Sequence, residues 1–285
     1  MARKAGKAVV AALGEDIDRL LAAEPDVRAD ADDSVHQMRV ATRRLRSVLR
    51  SYRDLFDQHQ AAATVTELKW LADLLGVARD AEVRAARFQD LLAGHDNVPA
   101  VVTEALVGAA RDAYTDAHAI VLTELDGMRY RHLAEVLRAW RTDPPLAADL
   151  AHDKAHHVFD KIVRHDRKRL RKLVFAEPTA APAERVEILH DIRKGAKRLR
   201  YACEAAHEVL GTGAADLGTR AKRLQSVLGD HRDAVESREA ILVAAAGSHG
   251  STATLYELLA DTEEAAAGRS LARYPATAAF VSVTG

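Results

Sequence analysis

The sequence predicts an all-α fold of two four-helix bundles, related by internal duplication and pseudo-two-fold symmetry. Three observations carry that expectation. Ala dominates an apolar fraction of 48%, while aromatics supply only 5%; such a composition packs helices through Ala and Leu and works against a sandwich or barrel. Gly (15) and Pro (7) are few for 285 residues, so chain-breaking positions are scarce. Two motifs recur in the same order across the chain, which at this length leaves room for about two domains.

The elements follow from the breaks between them. Helices are expected over residues 4–23, 34–57, 64–93 and 99–125, with a short piece at 130–141. The second half offers 153–173, 183–210, 214–246 and 252–269. The separating residues are turn formers: Pro25; Gly94 with Asn97 and Pro99; Asp143 with two prolines; Pro178 to Pro182; Gly211 and Gly213; Gly247 to Gly250. Asp33 or Ser34 can cap the second helix. Four helices per half make two bundles, 1–143 and 144–285, with the boundary near Asp143 to Pro145.

The net charge of -1 conceals segregated charge. Residues 35–53 hold six arginines and no acid, residues 154–172 hold eight Lys/Arg, and residues 190–200 hold five. These stretches carry 19 of the 41 basic groups. At about 100° per residue, Arg39, Arg43, Arg46, Arg50 and Arg53 share one stripe with His36, and Met38, Leu45, Val48, Leu49 and Phe56 fall opposite. Solvated helix faces mix signs through i,i+4 pairs; this one does not, so its arginines repel one another until an anion neutralises them. In the third run Lys154, His157, Lys161, Arg164, Lys168 and Arg171 form a similar stripe.

His36-Gln-Met-Arg39-Val-Ala-Thr-Arg43-Arg-Leu-Arg46 recurs as His190-Asp-Ile-Arg193-Lys-Gly-Ala-Lys197-Arg-Leu-Arg200, a shift of 154. The segment from Lys69 to Asp80, with Leu75-Gly76 and Arg79-Asp80, recurs from Lys222 to Asp233, with Leu228-Gly229 and Arg232-Asp233, a shift of 153. A mid-helix Gly costs about 1 kcal/mol relative to Ala, so Gly76 and Gly229 serve close helix approach or room for a ligand. Arg44 and Arg198 lie off the stripe, where they would cover the bundle or pair with acids on a neighbouring helix. Asp191, about 100° from His190, should point away from the basic residues.

On these paired motifs the chain resembles the CHAD family, whose name stands for conserved histidine α-helical domain, over about residues 5–270. The resemblance implies two four-helix bundles around a central basic groove or pore, and inorganic polyphosphate as the ligand. The motif match carries over His36, Arg39, Arg43, Arg46, Lys69 and Arg79 in the first half. In the second it carries over His190, Arg193, Lys197, Arg200, Lys222 and Arg232. Lys161, Arg164 and Lys168 join through the stripe. The N-terminal helix offers Lys7 at the Lys161 position and Val10 at the Arg164 position, so a two-fold site is expected to be stronger on the second-half side. Arg takes phosphate oxygens bidentately and Lys adds point charge. The histidines are either buried and satisfied or face the ligand.

The reading is of a binding protein: no catalytic residues, no cofactor and no metal are expected. Polyphosphate-associated proteins are further candidate partners. Two rivals are weighed. His-Asp pairs at 152–153, 165–166 and 190–191 are similar to those of metal-dependent HD phosphohydrolases, yet His190 sits among cations that repel a divalent ion. Basic stripes also suit nucleic acid, but no aromatics interleave with them to stack on bases. The apolar run near residues 241–246 falls far short of the roughly 20 residues of a membrane span. The stretch 9–13 is too short for a signal core. A single cysteine, Cys203, excludes a disulfide framework. The expected location is the cytoplasm, including polyphosphate granules.

Overall fold

A computed structural model describes residues 3–282, the side chains of Pro182 and Ala183 excepted. The first half contains α1 (Ala5–Arg28), α2 (Ser34–Ser51), α3 (Gln58–Ala93), α4 (Ala100–Thr103), α5 (Ala109–Asp126) and α6 (Met128–Trp140). A π turn, Glu104–Gly108, joins α4 to α5 without a break. After the short α7 (Ala148–Ala151) come α8 (Ala155–Ala176), α9 (Pro182–Leu210), α10 (Thr212–Ala244) and α11 (Gly250–Ala278). There is no β-strand among the described residues, only two isolated bridges.

Consecutive helices pack side by side, α1 on α2, α2 on α3 and α3 on α5, then α8 on α9, α9 on α10 and α10 on α11, as short connections require. One apolar cluster, including Leu13, Ile17, Met38, Leu45, Phe159, Ile192 and Leu199, runs through both halves. The halves meet at several places among the described residues. The central helices α2 and α9 pack against each other, and Tyr52 donates its hydroxyl to the Ala202 carbonyl at 2.8 Å. At the helix starts, Ala5 N–H donates to Asp153 O and Ala155 N–H to Arg3 O, both at 2.9 Å, a reciprocal pair about Lys4 and Lys154. At the far ends of the long α3 and α10, a second cluster joins Phe88, Leu92, Val102 and Leu106 to Ile241, Tyr256 and Leu259. There Arg87 Nε donates to Glu263 at 2.7 Å, and Ser237 supplies the carboxylate with another donor at 3.0 Å.

Three local expectations are corrected. Pro25 does not end the first helix; it lies in the last turn of α1 and its carbonyl accepts from Ala29 N–H at 3.0 Å. The missing N–H of proline removes one i→i−4 bond, and the helix still runs one turn past it. Neither Asp33 nor Ser34 caps α2: Asp33 has φ 56° and its carboxylate accepts from Gln37 and Arg79 instead, while the Ser34 hydroxyl is buried without a partner. Gly213 lies within α10, and only Gly211, at φ 72°, makes the turn.

Candidate functional site

The site is built where α2 faces α9. These central helices are packed on more than one side, so their basic side chains are half-buried rather than splayed into water. The repeat places the same residues at the same depth. Arg39 lies against Gly76 of α3, and a Cβ there would stand 3.4 Å from its Nη2; Arg193 lies against Gly229 of α10, at 3.5 Å from its Nε. The glycines therefore make room for arginine side chains. Both arginines have a buried Nε without a hydrogen-bond partner, and each meets an acid at the matching position, Asp80 at 3.4 Å from Arg39 Nη2 and Asp233 beside Arg193.

Next along the helices come Arg43 and Lys197. Burial, and then the guanidinium groups of Arg39, Arg193 and Arg46 around it, lowers Arg43 to about 10. Burial likewise lowers Lys197 to about 6, with Arg43, Arg46, Arg193 and Arg39 adding to the effect. A lysine lowered that far by burial, with four arginines adding to the effect, marks a concentration of cations that an anion would relieve. Beside them a cavity of about 300 Å³ opens between α2, α8 and α9. Seven cations line it, Arg43, Arg46, Arg50, Arg169, Lys194, Lys197 and Arg198, against the single acid Asp191. Ser47, Gly195 and Leu173 complete its wall.

The remaining sequence-predicted residues are placed as follows. His36 and His190 are half-buried; burial, with Arg79 beside His36 and Lys194 beside His190, holds both imidazoles below the usual histidine range. Arg79 is bonded to Asp33 and Glu82. Arg232 Nη1 stands 3.4 Å from His190 Nδ1, and its Nε donates to Glu236. Arg200 Nε donates to Glu204 at 2.7 Å. Lys69 is exposed and bonded to Asp73. Lys222 is exposed and lines a different cavity, with Arg44 and Glu204. Lys161, Arg164 and Lys168 are exposed on the outside of α8, and Arg164 pairs with Asp160. None of the three is among the residues lining the α2–α9 cavity. The reciprocal bonds at Lys4 and Lys154 equate α1 and α8 at a shift of 150 rather than 154, so Ala11, not Lys7, corresponds to Lys161.

Asp191 is another correction. It lines the cavity instead of pointing away from the basic residues, and Lys194 Nζ donates to it at 3.0 Å. Cavity residues missed by the motif match are Arg50, Arg169, Lys194 and Arg198. Arg50 was visible on the α2 stripe but has no basic counterpart in α9; Arg169 and Arg198 sit at the edge of an apolar face, where a wheel reads packing.

The model of the CHAD domain matches residues 11–242. An uncharacterised Mycobacterium tuberculosis protein, Rv2226, is 39% identical over 262 residues, covering 88% of this chain and 48% of that protein; the chain spans about half the length of the curated relatives it matches. Among solved structures, PptA from Streptomyces chartreusis superposes with a TM-score of 0.80 at 18% identity, over 96% of this chain and 99% of that one. A CHAD domain from the plant Ricinus communis gives 0.70 at 22% identity, over 100% and 93%. At these identities the two structures speak to the fold. The motifs, the helical architecture and the family model agree, and the chain belongs to the CHAD-domain family.

Proposed function

We propose that this chain binds inorganic polyphosphate, without hydrolysing it, in the basic groove between α2 and α9. The observation that carries the reading is the acid-poor concentration of cations around Arg43 and Lys197, which adds to burial in lowering the lysine to about 6. Polyphosphate offers one charge per internal phosphate and nothing else to read, which suits rows of Arg and Lys spaced by helical turns. Arg39 and Arg193 add two further cations next to Arg43 and Lys197. No aromatic side chain lines the cavity, so base stacking gains nothing there. At the His190-Asp191 pair, Arg232 beside the imidazole and Lys194 on the carboxylate oppose a divalent ion.

We also read the chain as a duplicated unit, 1–143 and 144–285. The recurring arginine–glycine contacts and the reciprocal bonds at Lys4 and Lys154 support it. No described helix is long and apolar enough to cross a membrane; a cytoplasmic polyphosphate pool, granules and their proteins included, fits this reading.

The test is a titration with long-chain polyphosphate at several salt concentrations, with DNA as competitor. Counterion release predicts log affinity falling linearly with log salt by several units of slope. Salt-independent binding, or displacement of polyphosphate by DNA at equal phosphate, would count against the reading. So would phosphate release in magnesium or manganese that disappears in His190→Ala.

A further inference from the structure

The repeat equates Arg50 of α2 with Glu204 of α9, and the two are opposite in charge. Around Arg50 the groove is open: Ser47, Gly195 and Lys194 line the cavity with it. The corresponding positions on the α1 flank are Tyr201, Ala41 and Val40. There a cavity of about 420 Å³ also opens, but its charge is cancelled, with Glu15, Glu204 and Glu208 set among Arg3, Arg19, Arg44 and Lys222. Tyr201 is buried, with its ring 5.0 Å from the Arg200 guanidinium. Glu204 accepts from Arg200 Nε at 2.7 Å and from Arg44, which also meets the buried Asp16.

We infer that Glu204 is a specificity-determining residue that neutralises one of two equivalent flanks of the cationic track, so that polyphosphate is held from the α8 flank alone. This rests on the polyphosphate reading. Glu204 engages the two guanidinium groups, Arg44 and Arg200, that would continue the track toward α1. A phosphate chain would meet a carboxylate where the opposite flank offers Arg50. Removing that one carboxylate charge would free Arg200 and leave Arg44 with Asp16 alone, without adding any cation.

Glu204→Gln tests this, because the amide keeps the size and can still accept from Arg44 and Arg200. Glu135→Gln, at an exposed position of α6, controls for the loss of one negative charge. The probes are tripolyphosphate, which the open flank alone can hold, and long-chain polyphosphate, which can reach across. Glu204→Gln should bind the long chain roughly tenfold more tightly at low salt, the worth of about one charge-assisted hydrogen bond. Its salt slope should steepen by about one, for the Arg200 guanidinium freed. Its tripolyphosphate affinity should follow the control. Arg50→Glu, on the exposed edge of the open flank, should weaken both probes sharply and flatten the slope.

A Glu204→Gln protein that follows the control with both probes overturns the role of Glu204, as does an equal gain for short and long chains. Either result leaves the polyphosphate reading standing, because the unaltered protein still binds. Failure of the unaltered protein to bind either probe would overturn that reading, and this proposal with it. Circular dichroism melting confirms that both variants fold.

Discussion

Lys197 is the side chain that its surroundings alter most. Held to about 6 by burial and by Arg43, Arg46, Arg193 and Arg39, it is neutral at pH 8 in the free protein. A phosphate beside it restores the proton, so binding at pH 8 takes up close to one proton, and affinity falls by up to about tenfold per pH unit above pH 6. Titration calorimetry in two buffers of different ionisation heat reads that uptake, and Lys197→Arg should abolish it; equal heats in both buffers would contradict a buried, anion-facing lysine. The sign for stability is opposite. A folded pKa below the unfolded 10.5 means that the unfolded chain holds the extra proton between about 6 and 10.5, so Lys197 opposes folding less as pH rises through that window.

Two arginine pairs separate groove residues from packing residues. Arg39→Glu with Arg193→Glu should cost most of the affinity with the fold intact, because both belong to the cations that act on Arg43 and Lys197 and neither is part of the apolar core. Arg44→Gln should leave affinity within a few fold. It should cost about 1–3 kcal/mol of stability, because it strips a charged partner from the buried Asp16. Arg198 matches Arg44 in sequence but lines the cavity, so Arg198→Gln should weaken binding where Arg44→Gln does not. Binding titrations at fixed salt alongside urea melts distinguish the two; equal losses of affinity from all four changes would mean that only total charge matters.

At the scale of elements, two small residues lie against the arginines of the central helices. Gly76 and Gly229 sit in mid-helix, and a Cβ at either position would touch an arginine at ordinary contact distance. Alanine at each should therefore gain up to about 1 kcal/mol of helix propensity and leave affinity unchanged. Leucine should displace Arg39 or Arg193 and cut affinity. Urea midpoints measure the first effect and titration the second. A loss of stability with alanine would show that the glycines do more than seat the arginines.

The helices themselves were largely legible, because scarce turn residues marked their ends and the apolar periodicity of α2, α8 and α9 agrees with their buried faces. What a helical wheel could not supply was depth. It finds residues opposite the core, and on a peripheral helix such as α8 those are the solvent-facing ones, Lys161, Arg164 and Lys168. A groove is lined instead by residues at the border of the apolar stripe, such as Arg169, or by any polar face of a helix packed on several sides, such as α2. The acid at Asp191 and the pairing of Glu204 with Arg44 depend on which helix lies across from them, and that is information a single helix does not carry.

For the whole molecule, the central helices store like-charge repulsion that both halves must contain. Salt acts on this in two opposed ways. Without ligand, added salt screens Arg39, Arg43, Arg46, Arg193 and their neighbours from one another, so the melting temperature should rise between low and moderate ionic strength. With polyphosphate at about 100 times its dissociation constant, binding to the folded state alone adds about 2.7 kcal/mol. For a chain of this size that shifts melting upward by about 5 °C. That gain should shrink as salt rises, because the same counterions compete for the groove. The two melting curves should therefore converge with increasing salt, the free protein climbing while the complex loses its advantage. The gap should also be wider at pH 6 than at pH 8, because less of the binding energy is spent on protonating Lys197. Differential scanning calorimetry over a grid of salt and pH measures all of this. A polyphosphate-dependent shift that stayed constant across the salt series would place the ligand somewhere other than this cationic track.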